Sequence, residues 1–183
     1  WELKKNRKSF VFTKALRALE ALAKKNGDVN EFVLFSKASK LSSQGKKAEA
    51  LELYNQIENY STTFNWMHNN RGILFAQAGD NERALKDYNK AIELDSKDSM
   101  AYANRGSLFK QAGNKEKALR DYSKAIELDP KSAMVYTNRG ILFNENGDRE
   151  KALNDYNKAI ELQPKYATAY NSRGILFDER GDR

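Results

Sequence analysis

Residues 99–132 read SMAYANRGSLFKQAGNKEKALRDYSKAIELDPKS. Tyr102, Arg105, Gly106 and Phe109 fall at helical spacing on one face of a first segment, about residues 99–112. Gly113 stops that helix, because the residue past a helix end often takes a left-handed conformation that glycine adopts without penalty. Glu116 opens a second helix in which Ala118, Tyr122 and Ala125 form the buried stripe, and Pro130 ends it. Gly106 and Ala118 are small, so two helix backbones can approach closely. Tyr102, Phe109 and Tyr122 fill the volume around that contact. A helix pair this short cannot bury its apolar face alone, so it requires neighbours of the same kind.

The neighbours are present. Asn70-Arg71-Gly72, Asn104-Arg105-Gly106 and Asn138-Arg139-Gly140 lie 34 residues apart, followed by Ser172-Arg173-Gly174. Phe75, Phe109, Phe143 and Phe177 follow in step, as do Gly79, Gly113, Gly147 and Gly181. Asp87-Tyr88, Asp121-Tyr122 and Asp155-Tyr156 recur, then Ala91-Ile92-Glu93-Leu94 and its two copies, the last two closed by Pro130 and Pro164. Period, small residues and closing prolines resemble the tetratricopeptide repeat, a helix-turn-helix unit. The resemblance implies an all-α fold, a right-handed superhelical solenoid of antiparallel helix pairs. Helix pairs are expected close to 65–78 with 82–95, 99–112 with 116–129, and 133–146 with 150–163.

The expected organisation is a basic lead-in and capping helix over 1–30 and a divergent repeat over 31–64. Full repeats follow over 65–98, 99–132 and 133–166, and the first helix of a fifth over 167–183. The divergent repeat carries Leu34, Lys37 and Ala38 where later repeats have aromatic, arginine and glycine. Such a unit suits a cap. Ahead of it, Phe10 to Lys25 reads as one more helix. A start at Trp1 and an end just past a turn suggest a fragment of a longer protein.

The net charge of +7 is uneven, with +5 in residues 1–30 and +2 in the remainder. Lys4, Lys5, Arg7 and Lys8 suit a solvated lead-in or linker better than a nucleic-acid contact, because aromatics for base stacking are not interleaved with them. No apolar run approaches the length of a membrane span. The resulting expectation is a soluble protein, with the cytoplasm favoured. Cysteine is absent, which removes thiol chemistry and thiolate metal sites. No metal-ligand spacing, phosphate-cradling loop or nucleophile elbow occurs. The single histidine, His68, takes the slot of Tyr102, Tyr136 and Tyr170, which packs between helices. No catalytic residue, metal or cofactor is expected.

Arg71, Arg105, Arg139 and Arg173 occupy a position that is apolar in most of the family. Asp87, Asp121 and Asp155 lie on the inward face of the second helices. Both partners change together in the first repeat, to Lys37 and Leu53. An internal Arg–Asp pair in each repeat would fix the angle between helices through bidentate geometry. Internal duplication would give the same joint pattern without pairing, and contact with a ligand carboxylate is the other reading.

In the family, first helices line the concave surface. The resemblance carries over Trp66, Met100 and Met134, then Asn69, Thr137 and Asn171, then Asn70, Asn104 and Asn138, then Ile73, Ser107, Ile141 and Ile175. Lys110 and Glu145 lie further along. The row Asn70, Asn104 and Asn138 resembles the asparagine ladder of the peptide-binding repeats in O-linked N-acetylglucosamine transferase. An asparagine amide donates and accepts, so it can bracket a peptide bond as a neighbouring strand would. A clamp for chaperone C-termini is not expected, because Phe35, Ser39, Met100 and Met134 stand where its ligand-binding side chains would be. Glu145, Asp178 and Glu179 predict an acidic C-terminal half of the groove.

The functional expectation is a protein–protein interaction scaffold that binds an extended peptide segment of a partner. The competing reading is a regulatory or substrate-recruiting arm of an enzyme whose catalytic domain lies elsewhere. An RNA-binding solenoid is the third, and the near neutrality of the repeats argues against it.

Overall fold

The computed structural model describes residues 31–60 and 65–178. The expected N-terminal helix at 10–25, together with Glu179 and Gly181, lies outside the described residues. Among the described residues the chain forms α1 (Glu31–Ser43), α2 (Lys47–Tyr60), α3 (Asn65–Gln77), α4 (Asn81–Leu94), α5 (Ser99–Gln111), α6 (Lys115–Leu128), α7 (Ala133–Glu145), α8 (Arg149–Leu162) and α9 (Ala167–Asp178), with no strand. The architecture is an all-α solenoid of antiparallel helix pairs.

The turn inside each pair is built from few residues. Gly113 has φ +75°; its N–H donates to Lys110 O and that of Asn114 to Phe109 O, which satisfies the last carbonyls of α5. Asn114 then caps α6 by accepting from Lys117 N at 3.1 Å. Asp80 and Asp148 do the same for α4 and α8. These caps act directly after the glycine, so the second helices begin at residues 81, 115 and 149, one residue earlier than their spacing suggests.

Within a pair, contact depends on the missing side chain of Gly106. A Cβ there would meet the Tyr122 ring at 3.0 Å and Asp121 Cβ at 3.3 Å. Ala118 and Ala125 are fully buried beside it. The core runs as a ribbon from pair to pair. Leu108 of α5 packs with Phe75, Ala84 and Tyr88 of the preceding pair, and Leu142 of α7 packs with Ala118, Tyr122 and Ala125. Full burial of a leucine contributes roughly 1.5–3 kcal/mol, and here much of that gain is shared across repeat boundaries. Each repeat therefore leans on the next.

Candidate functional site

First helices of successive pairs touch one another: α1 with α3, α3 with α5, α5 with α7, and α7 with α9. Among the described residues no second helix touches another second helix. The stack therefore curves with the first helices inside, and their free faces form one concave surface.

Met100 and Ile175 stand open on the first helices, 44% and 58% exposed. Met134 is half-buried against the cluster of Ala103, Val135 and Leu142. Ile73 and Ile141 are also half-buried. Trp66 meets Phe35 edge-on with ring centroids 3.9 Å apart, and both rings pack on the core of the first pair. Asn171 is exposed.

The repeat position shared by Asn69, Ala103 and Thr137 does not behave as the concave reading expects. Asn69, Ala103 and Thr137 are 8%, 2% and 0% exposed. Direct packing between successive first helices closes over this position, so Asn69 is an interior residue and not groove lining. Its Oδ1 accepts a hydrogen bond from Asn104 Nδ2 at 2.9 Å. Thr137 Oγ1 turns back to donate to Ala133 O. The buried Tyr54 hydroxyl pairs with Ser39 Oγ at 3.2 Å, and the Asn70 amide lies near enough to favour its charged form. Burial pushes the Tyr54 hydroxyl pKa up, and these two polar neighbours only partly oppose that. Asn138 is half-buried, and among the described residues its amide has no partner. Ser107 Oγ donates to Ala103 O and accepts from Tyr122 Oη at 3.1 Å.

Lys110 and Glu145 form an ion pair at 2.9 Å between α5 and α7. Lys115 Nζ donates to the Glu145 carbonyl at 3.0 Å. The expected acidity of this part of the groove is thus offset by a lysine already seated on Glu145.

The arginines lie between the helix pairs. Arg71 donates through Nε and Nη2 to the two Asp87 oxygens, both at 2.7 Å. Arg105 binds Asp121 at 2.7 and 2.9 Å, and Arg139 binds Asp155 at 2.8 and 2.9 Å. The third nitrogen reaches backward: Arg71 Nη1 to Asn55, Arg105 to Asn89, Arg139 to Ser123 and Arg173 to Asn157. Arg71, Arg105 and Arg139 thus each tie their own second helix to that of the preceding repeat. The acceptors Asn55, Asn89, Ser123 and Asn157 were not singled out in the sequence. Their signal is that they lie sixteen residues before each arginine, as the aspartates lie sixteen after.

His68 is 2% exposed, with Nδ1 3.2 Å from Asp87 Oδ1. No protein group among the described residues pairs with its Nε2. Burial pushes the Asp87 carboxyl up, but hydrogen bonds from Arg71 and His68 outweigh it and hold the carboxyl below its usual value. Tyr102 and Tyr136, in the His68 slot of later repeats, lie under the Arg105 and Arg139 guanidinium groups at 5.4 and 5.7 Å. Among the described residues no group of three metal-ligating side chains gathers, and no helix is long and apolar enough to cross a membrane.

Models of the tetratricopeptide repeat match residues 66–98 and 99–132, and 122–154. A further model, described as TPR repeat, matches 142–181. No curated protein sequence matches the chain. Among solved structures, a tetratricopeptide repeat protein from Parabacteroides merdae is similar at 27% identity and TM-score 0.73, over 99% of this chain and 73% of that one. MamA is similar at 24% identity and TM-score 0.70, covering 80% and 85%. YrrB, described as a TPR protein with an unusual peptide-binding site, is similar at 20% identity and TM-score 0.67, covering 88% and 83%. The last two likenesses are of fold alone.

Proposed function

The chain belongs to the tetratricopeptide repeat family, whose members typically act as non-catalytic interaction scaffolds, and from that premise we propose that its concave face binds an extended segment of a partner protein. The observation that carries this reading is the juxtaposition on α3, α5 and α7 of an asparagine row with the exposed Met100 and the half-buried Ile73, Met134 and Ile141. Asn70, Asn104 and Asn138 supply amide chemistry that matches a peptide backbone. Met100 stands open beside them, and methionine adapts to side chains of different shape. YrrB, which carries a peptide-binding site on a similar fold, supports the reading by analogy. The enzyme-arm alternative has no observation in its favour among these residues.

The test is a titration with peptides selected by display on the wild-type protein. Replacing both Met100 and Met134 by aspartate puts charge on the apolar floor and leaves the ion pairs and core glycines intact. Affinity is expected to fall at least about tenfold, the equivalent of 1.4 kcal/mol. Unchanged affinity in a variant that retains its helical content would contradict a concave site.

A further inference from the structure

Successive second helices do not touch among the described residues, so the convex side of the stack opens into clefts. The one between α2 and α4 has a volume of about 160 Å³ and is lined by Asn55, Arg71, Phe75, Arg83, Lys86 and Asp87. Its three cations face a single carboxylate, and both Asp87 oxygens are already taken by Arg71 at the floor. Arg83 and Lys86 are exposed above them. The Arg83 guanidinium stands over the Phe75 ring at 4.6 Å and donates through Nε to Asp80 at the turn. Its two Nη groups have no partner among the described residues. Lys86 makes no ion pair among them either, although Glu82 precedes it by one helical turn. Asn55 Oδ1 accepts from Arg71 Nη1 at 3.0 Å, which fixes the amide and leaves its Nδ2 donors open among the described residues. The cleft thus holds an uncompensated ammonium beside open guanidinium and amide donors.

One repeat on, the same positions carry Asn89, Arg105, Phe109, Lys117, Arg120 and Asp121. Arg105 again joins the asparagine to the aspartate, and Lys117 stands over Phe109 at 5.3 Å. In the repeat after that, Ser123 and Asn154 replace the asparagine and the outer cation. We propose that the convex clefts at Arg83 and Lys86 and at Lys117 and Arg120 form a second binding site, which takes an acidic segment of a partner protein. Carboxylates of that segment enter the clefts and accept from the open donors, as charge-assisted hydrogen bonds require. Two such clefts in succession suit a chain bearing several carboxylates better than one small anion. RNA is the poorer occupant, because the Phe75 and Phe109 rings carry cations where base stacking would need a ring face. This site is independent of the concave face.

The experiment titrates an eight-residue glutamate peptide with blocked termini, and follows the Arg83 Nε–H and Asn55 side-chain amide signals by NMR. Both signals are expected to shift saturably, with affinity that declines as salt rises. Lys86→Gln should weaken binding by about two- to fivefold, and Arg83→Gln with Lys86→Gln by about tenfold. Adding Lys117→Gln and Arg120→Gln should weaken it further. Lys165→Gln, an equal loss of charge on an exposed residue outside the clefts, should change nothing. All of these side chains are exposed, and the backbone spectrum verifies that each variant folds. Replacing Met100 and Met134 by aspartate should leave binding of the glutamate peptide in place, and the cleft variants should keep their affinity for a display-selected concave ligand.

A loss for Lys165→Gln as large as that for Lys86→Gln would reduce the effect to overall charge and overturn the site. Tighter binding of inorganic phosphate or of an eight-nucleotide uridine RNA at the same signals would overturn the acidic-segment assignment. Loss of glutamate-peptide binding in the Met100 and Met134 variant would show that the peptide lies in the groove, and would leave the concave reading standing without a second site.

Discussion

Arg71 grips Asp87 with two parallel hydrogen bonds of 2.7 Å and, with its third nitrogen, reaches Asn55 in the preceding repeat at 3.0 Å. The pair is nearly dry, with side-chain exposures of 6% and 4%. Removing one partner of such a pair leaves an uncompensated buried charge, at about 3–5 kcal/mol. Arg71→Ala should therefore destabilise strongly in urea unfolding. Arg105→Ala and Arg139→Ala should cost less, because those arginines are each 19% exposed. Arg71→Lys should recover only part of the loss, since an ammonium cannot copy the fork. Equal losses for all four variants would show that burial does not set the strength of these ties.

The same carboxylate gives a pH signature. Asp87 titrates below its usual value of 3.8 in the folded chain. Between the two values the unfolded chain binds more protons, so stability rises with pH there. The contribution is fully present above the unfolded value and lost as pH falls through the folded one. Asp87→Asn removes it. Urea midpoints over an acid series should show the gap between wild type and variant shrinking below about pH 4. A gap that stays constant would indicate that Asp87 is not held low in the folded state.

His68→Tyr restores the residue that later repeats carry at this slot. It removes a buried ring nitrogen that has no partner among the described residues and one hydrogen bond to Asp87, while Arg71 keeps its two. A tyrosine there can lie under Arg71 as Tyr102 lies under Arg105 at 5.4 Å. The variant is expected to be as stable as the wild type or more so in thermal melts. A large loss would mean that the His68–Asp87 bond matters more than the packing of the other repeats implies.

Two glycines at the same repeat position should respond in opposite ways. A Cβ on Gly140 would come within 2.7 Å of the Tyr156 ring and 3.2 Å of Asp155 Cβ, whereas one on Gly174 meets nothing within 4 Å. Gly140→Ala should overpack, losing about 1–3 kcal/mol. Gly174→Ala should gain about 0.5–1 kcal/mol from helix propensity. Denaturant melts of the two variants decide it, and a stabilised Gly140→Ala would contradict the close packing of α7 on α8.

The helix pairs were legible because their signals are local and repeated: a glycine where the turn needs positive φ, small residues where backbones meet, and a 34-residue period. The recurrence of arginine and aspartate at a fixed offset drew attention to positions that meet in the folded chain. The concave face was harder to read. Asn69 and Asn104 look equally polar in sequence, yet one is interior and the other half-buried, because contact between successive first helices decides exposure at each position. The Lys110–Glu145 pair likewise joins residues of different repeats, and helical periodicity within one repeat carries no information about it. Family resemblance places residues on a face but does not say which of their hydrogen bonds remain open.

The most direct measurement of the central claim is photo-crosslinking of a bound, display-selected peptide from two positions. One photoreactive residue replaces Met134 on α7, on the concave side, and the other replaces Glu127, exposed on the second helix α6. A segment held in the groove should crosslink from position 134 and not from 127. Crosslinking from 127 with none from 134 would place the partner on the convex helices and contradict a concave binding site.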